Sequence, residues 1–162
     1  MSCRGHGPHE DENCVCGVLR AIVDAQDQVS PVEEDNCDVS CQRSINVLLG
    51  DVVTPTTGPN TIPVILYCDC DPFLGVGVRN DPQHAGRLEC VQSFLFRVNS
   101  VDENCCASLE LLSTGHGNNA NDPCDQFPGN SVRLSDIEGT GICITVDLNC
   151  FCAVTCLDPI RL

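Results

Sequence analysis

The sequence predicts a mainly β protein, an antiparallel β-sandwich of jelly-roll-like form with one amphipathic α-helix at its N-terminal side. Three observations carry this expectation. Apolar residues recur at three- and four-residue steps only near Cys14 to Val29, and beyond residue 41 the apolar period falls to two. Turn-forming Gly, Pro, Asn and Asp punctuate the later part at short intervals. The length of 162 residues suffices for one compact domain and is too short for two ordinary ones.

The elements follow in order. Residues 1–13 are polar and lack any apolar period, so they are expected to be a flexible arm, with residues 14–162 forming a single domain. Val15, Val18, Leu19, Ile22, Val23 and Val29 fall on one helical stripe, Asn13 can cap it and Pro31 stops it, which predicts a helix over 14–28. An acidic loop over 30–41 carries Cys37 and Cys41. Branched and aromatic runs then predict strands at Arg43–Leu49, Thr61–Tyr67 and Phe73–Val78, separated by Gly50, Pro55, Gly58-Pro59 and Asp71-Pro72. Leu88–Val98 and Cys105–Leu112 are predicted to be half-buried strands, with Phe94, Phe96 and Val98 on one face of the first and Ala107, Leu109 and Leu111 on one face of the second. Residues 113–130 are rich in Gly, Asn, Asp and Pro and predict a long surface loop. Val132–Ile137 is a candidate short strand. Ile142, Ile144, Val146 and Leu148 then alternate with Cys143, Thr145, Asp147 and Asn149, and continuing that alternation through Cys150, Cys152 and Val154 sets two cysteines on the apolar face. The sandwich is therefore expected over about 43–156.

Charge narrows the function. The formal net charge is -15 and all eight basic residues are Arg. An acidic protein repels phosphate backbones and anionic lipid, so neither nucleic acid nor membrane is an expected partner. Without lysine there is no Schiff-base chemistry and no phosphate-loop lysine. No apolar run is long enough to span a bilayer, and the start, Met1-Ser2-Cys3-Arg4-Gly5-His6, is followed by acidic residues rather than an apolar signal segment.

The 15 cysteines are a density met in secreted disulfide scaffolds, here without an export signal. The number is odd, so at least one thiol must stay free, bind a metal or bond to another chain. No Cys-x-x-Cys occurs; the short spacings are Cys-x-Cys (14/16, 68/70, 150/152), the adjacent pair 105/106 and Cys-x-x-x-Cys (37/41, 152/156). These match neither common zinc nor ferredoxin spacings, and no Cys/His catalytic signature is visible. Cys3, His6, His9, Cys14 and Cys16 form a weak candidate set for zinc or copper, set against a solvated tail. His84 and His116 are expected to be plain loop histidines. The acidic groups Asp69-x-Asp71, Asp102-Glu103 and Glu33-Glu34-Asp35 lack the twelve-residue loop of an EF-hand. In a strand, Cys105 and Cys106 must point to opposite faces, so some cysteines face outward. Cross-linking between copies thus accounts for the thiols best, while Cys90 and Cys143 could equally be small buried apolar side chains.

Cys143-Ile-Thr-Val-Asp-Leu-Asn-Cys150-Phe-Cys152-Ala-Val-Thr-Cys156-Leu157 resembles the C-terminal signature of the spore coat CotY/CotZ and exosporium ExsY proteins of Bacillus-type endospores. Phe96-Arg97-Val98, Asn104-Cys-Cys106-Ala-Ser-Leu109, Thr61-Ile-Pro63, Met1-Ser-Cys3 with His6 and His9, and Asn13-Cys-Val-Cys16 extend the likeness, as does the Cys37 to Cys41 loop. The resemblance implies a structural protein and no enzyme. It implies self-assembly into a two-dimensional, hexagonal, disulfide-cross-linked lattice of the spore's outer layer, crust or exosporium, with synthesis in the mother-cell cytoplasm. Its partners would be copies of itself and other coat or exosporium proteins, and no cofactor is implied.

Flexible sites reach neighbours with least distortion, which makes Cys3, Cys14, Cys16, Cys37 and Cys41 the first cross-link candidates. Cys105 and Cys106 join them, as do Cys150, Cys152 and Cys156, which could also pair inside the fold. The alternatives are a Cys/His metal-binding protein and a thiol-dependent redox enzyme.

Overall fold

The computed structural model describes residues 14–29, 59–116 and 120–162. The expected arm, the Arg43–Leu49 strand, and Cys3, His6, His9, Cys37 and Cys41 lie outside the described residues. The fold class is as predicted, mainly β with antiparallel pairing and one helix near the N-terminus.

Helix α1 spans Cys14–Val29. Its buried stripe is Val15, Cys16, Leu19, Ile22 and Gln26, narrower than the predicted one, because Val18 and Val29 are exposed. Gln26 is a buried polar group with both ends satisfied: its Nε2 donates to the Val98 carbonyl at 2.8 Å and its Oε1 accepts from the Ile62 N–H at 3.0 Å. One side chain thereby fixes the helix both to β5 and to the segment that leads into β1.

The main sheet contains β1 (Val64–Cys68), β2 (Asp71–Pro72), β5 (Phe96–Val101), β6 (Cys106–Ser113), β7 (Glu138–Asp147) and β8 (Ala153–Cys156). A separate hairpin pairs β3 (Gly75–Asn80) with β4 (Leu88–Ser93). The strongest ladders run β5–β6–β7, and β8 pairs with β1 from Val64–Cys156 to Tyr67–Ala153. The hairpin lies over β6 and β7, and α1 lies against β5 and the turn Leu148–Cys150. Between these layers sits the main core, in which Leu19, Val64, Leu66, Phe96, Val98, Leu109 and Leu111 are fully buried. Each such side chain stabilises the fold by about 1.5–3 kcal/mol relative to exposure. Close packing needs glycine at the hairpin. A Cβ on Gly77 would run into Ile142, and one on Gly75 would lie 2.5 Å from Phe96 Cε1.

A smaller core of Leu95, Leu112, Ile137 and Ile160 packs with Ile65, Phe127, Leu157 and Leu162. The buried Gln126 ties the polar 120–130 segment down, its Oε1 accepting from the Phe94 N–H at 2.7 Å and its Nε2 donating to Ser93 Oγ at 3.1 Å.

Several boundaries depart from expectation for local reasons. The first strand begins at Val64, after Pro63, which has no N–H to give a ladder; Thr61 instead forms a single bridge with Ile160. The strand expected from Phe73 begins at Gly75, and Phe73 stacks on Phe96 and meets Phe151 edge to face. Leu88–Val98 is two strands, because the chain leaves the hairpin at Ser93 and enters the main sheet at Phe96, burying both Phe94 and Leu95 on the way. Val132–Ile137 is no strand: Leu134–Asp136 is a 3-10 turn. The alternation after Asp147 ends in a further 3-10 turn at Leu148–Cys150, where the Asp147 carboxylate accepts from the Asn149 N–H at 2.9 Å. Cys150 and Cys152 are consequently exposed rather than set on an apolar face.

Candidate functional site

The fold sorts the cysteines. Cys16, buried on α1, is joined to Cys105 by a disulfide that spans 89 residues, so it does not reach outward as expected of it. Arg20, one turn along the helix, donates to the Asp102 carbonyl at 2.7 Å and approaches Cys105 Sγ at 3.8 Å. Cys105 and Cys106 do diverge, the first buried and the second exposed.

The turn that sets Cys105 is built by Asp102. Its Oδ1 accepts from the N–H groups of Asn104 (2.8 Å) and Cys106 (2.9 Å), while its carbonyl accepts from the Cys105 N–H at 3.2 Å. Cys105 takes φ +61°, the left-handed position that hairpins usually give to glycine. The β1–β2 hairpin repeats the device. Between paired Cys68 and Asp71 the two turn residues, Asp69 (φ +50°) and Cys70 (φ +67°), are both left-handed, the pattern that normally selects Asn-Gly or Asp-Gly.

Nine free thiols lie among the described residues: Cys14, Cys68, Cys70, Cys90, Cys106, Cys124, Cys150, Cys152 and Cys156, all exposed except the half-buried Cys68. Three of them, Cys68, Cys150 and Cys152, gather where β1 ends and β8 begins, and Cys70 follows Cys68 in the β1–β2 turn. Burial pushes the Cys68 thiol pKa up, and the nearby Asp69, Cys150 and Cys152 add to that by repelling its thiolate. Burial also raises Cys156, which sits opposite Val64. Cys90, which sequence left open as a core residue, stands on the outer face of the hairpin opposite Val78, beside exposed Val76 and Leu88. Cys124 is exposed at the 3-10 turn capped by Asp122.

His84 hydrogen-bonds Asp81 through Nδ1 at 2.8 Å within a loop, and His116 is exposed. Among the described residues no group of three or more His, Cys, Asp or Glu is disposed to hold a metal ion. Of the weak metal candidates, Cys14 is an exposed thiol and Cys16 has its sulfur in a disulfide, which withdraws the thiolate a metal would need. No described helix is long and apolar enough to cross a membrane. Sequence reasoning did not single out Cys68, Cys70, Cys90 and Cys124, which the fold leaves as free thiols; for Cys70 the legible signal was Asp-Cys in a hairpin turn that ordinarily reads Asp-Gly.

Fold and thiols together define a class, the cysteine-rich acidic β scaffold with its sulfur turned outward. The family model for Spore coat protein Z matches residues 1–159, and the chain belongs to that family. Spore coat protein Z of Bacillus subtilis (strain 168) is 28% identical over 149 residues, covering 88% of this chain and 88% of that protein. No solved structure matches. The likeness drawn from the cysteine signature is therefore the family found, and membership places the chain in the coat at the spore surface with a structural role.

Proposed function

We propose that the chain is a tile of the spore's outer layer that assembles with copies of itself into a two-dimensional sheet and is then locked by disulfides between copies. The observation that carries this is the exposure of eight of the nine free thiols described. They sit at the helix start, on the β1–β2 and β3–β4 hairpins, at the start of β6, at the 124 turn and from the Leu148–Cys150 turn through β8, so bonds could form to neighbours on several sides. A thiol exposed on a lone soluble protein is a liability toward oxidation, whereas on a tile it is a rivet. Within this reading Cys106, Cys150 and Cys156 are intermolecular candidates, and Cys70, Cys90 and Cys124 join them. The tile works by position and bond formation, and no catalytic step is assigned to it.

Negative-stain microscopy of the purified protein with and without reductant, beside non-reducing electrophoresis, tests this. Ordered sheets that resist dissociation only when oxidised are expected. Soluble monomers alone, at high concentration and after oxidation, would reject it.

A further inference from the structure

We propose that the outer face of the β3–β4 hairpin is a contact surface for a second copy of this chain, two hairpins packing face to face about a two-fold axis. The choice of partner rests on the tile reading above, while the face itself is read from the hairpin. Residues paired across antiparallel strands share a face, so the register sorts the hairpin into two sets. Gly75–Ser93, Gly77–Val91 and Arg79–Glu89 turn inward. On that side the backbone at Gly75 and Gly77 lies close against Phe96 and Ile142, and Arg79 joins Glu89 at 3.0 Å and donates to the Thr140 carbonyl at 2.9 Å. Val76–Gln92, Val78–Cys90 and Asn80–Leu88 turn outward.

A surface hairpin ordinarily buries its apolar positions and exposes its polar ones. Here the ion pair is inside and the large apolar side chains are outside. Val76, Val78 and Leu88 are three of the six large apolar residues exposed among the described residues, and Leu88 is 73% exposed. A register shift of one residue would turn the valines inward, but the approach of Phe96 and Ile142 leaves no room there for a side chain. The inner face thus fixes the register and holds the apolar set in solvent. Single exposed apolar residues are ordinary, whereas a contiguous cross-strand group marks an interaction surface. Charge selects the partner. The outward positions hold no carboxylate and no arginine, on a chain of formal net charge -15. A basic partner would be drawn to carboxylates elsewhere, and a like-charged partner comes close only where charge is missing. Another copy is such a partner, and a two-fold contact lays the same patch on both sides. Val78–Cys90 is the middle outward pair, so Cys90 falls at the centre of the contact. The hairpin is short and covers less than the roughly 1,200 Å² of stable complexes, so the dimer is weak, with a dissociation constant on the order of 100 µM.

The test uses the full chain with every free thiol kept reduced, so that no bond forms between copies. Iodoacetamide labelling of Cys90, read by mass spectrometry relative to Cys124, is expected to slow about threefold or more between roughly 5 µM and roughly 500 µM protein. Sedimentation should show the matching dimer, tightened by added salt because screening relieves the repulsion between acidic copies. Val78→Asp and Leu88→Asp each charge an exposed position, so both should fold, stay monomeric and keep Cys90 fully reactive. Val29→Asp, exposed on α1, should dimerise as the parent does. A Cys90 that labels at one rate across the range, or a Val78→Asp chain that dimerises like the parent, overturns the proposal. Should an aspartate variant fail to fold, the labelling of the parent decides. Microscopy of the oxidised parent reads the layer separately: sheets with an unprotected Cys90 remove this face alone, a dimer without sheets removes the tile alone, and the lack of both removes both.

Discussion

Replacing both Cys16 and Cys105 by alanine removes the bond between α1 and the β5–β6 turn, and the size of the loss can be worked from chain topology. The bridge closes a loop across 89 residues of sequence separation. In the chain-entropy account, a loop of that size withholds about 15 cal/mol/K from the unfolded chain, roughly 4.6 kcal/mol at 25 °C. Removing buried sulfur at Cys16 adds about 1 kcal/mol of lost packing. A domain of this length moves its midpoint by about 2–4 °C per kcal/mol, so the double variant should melt roughly 10–20 °C below the parent. The comparison is made by urea unfolding with the remaining thiols of both proteins capped by iodoacetamide, which prevents exchange and leaves the bridge intact in the parent. A built-in control comes from Cys105 itself: because it sits at φ +61°, Cys16→Ala with Cys105→Gly should regain about 1 kcal/mol over the alanine pair. A loss below about 2 kcal/mol would refute the loop-entropy reasoning, since little of the unfolded chain's freedom would then depend on the bridge.

Gln26→Leu should cost about 2–5 kcal/mol, because it leaves both the Val98 carbonyl and the Ile62 N–H without their partner; thermal unfolding measures it. Gly77→Ala drives a methyl into Ile142 and is expected to cost about 1–3 kcal/mol, with Ile142→Ala in the same chain restoring part of it. Cys70→Gly should raise stability by about 1 kcal/mol while reducing the disulfide-linked fraction of assembled sheets on non-reducing gels. The Asp81 carboxyl is held below the usual carboxylate range by the Gln83 N–H first and by His84. Its contribution to the loop is thus present above that range and lost as pH falls through the lowered value. Amide shifts of Gln83 and His84 should follow that titration in NMR spectra and stay flat in Asp81→Asn.

The helix and the β6 face were legible because each buries one stripe: Leu19 and Ile22 at helical steps, Ala107, Leu109 and Leu111 at alternate positions. The break between β4 and β5 was not, because Phe94 and Leu95 are both buried, and consecutive apolar residues read as an unbroken strand. The last strand was overextended for the opposite reason. Its apolar alternation is genuine up to Asp147, where a side-chain carboxylate captures the backbone and turns the chain. Among the thiols, that some must face outward followed from number and spacing, but which ones did not, and the pairing of Cys16 with Cys105 depends on how α1 lies on β5, a long-range placement that no local pattern encodes.

Two cysteines occupying left-handed turn positions is an arrangement that folding alone disfavours, since glycine at either site is less strained by about 1–2 kcal/mol. At Cys105 the strain has a return inside the molecule, because the bridge to Cys16 stabilises the fold by several times that amount. Cys70 shows no such return: it is a free, exposed thiol at the apex of a two-residue turn. A hairpin apex projects from the sheet, and the paired strands on either side fix its direction, so a sulfur placed there is presented to whatever lies beyond the molecule at small entropic cost. Under the proposed function, the strain at Cys70 is stability given up by the single copy in exchange for a bond to a neighbouring copy.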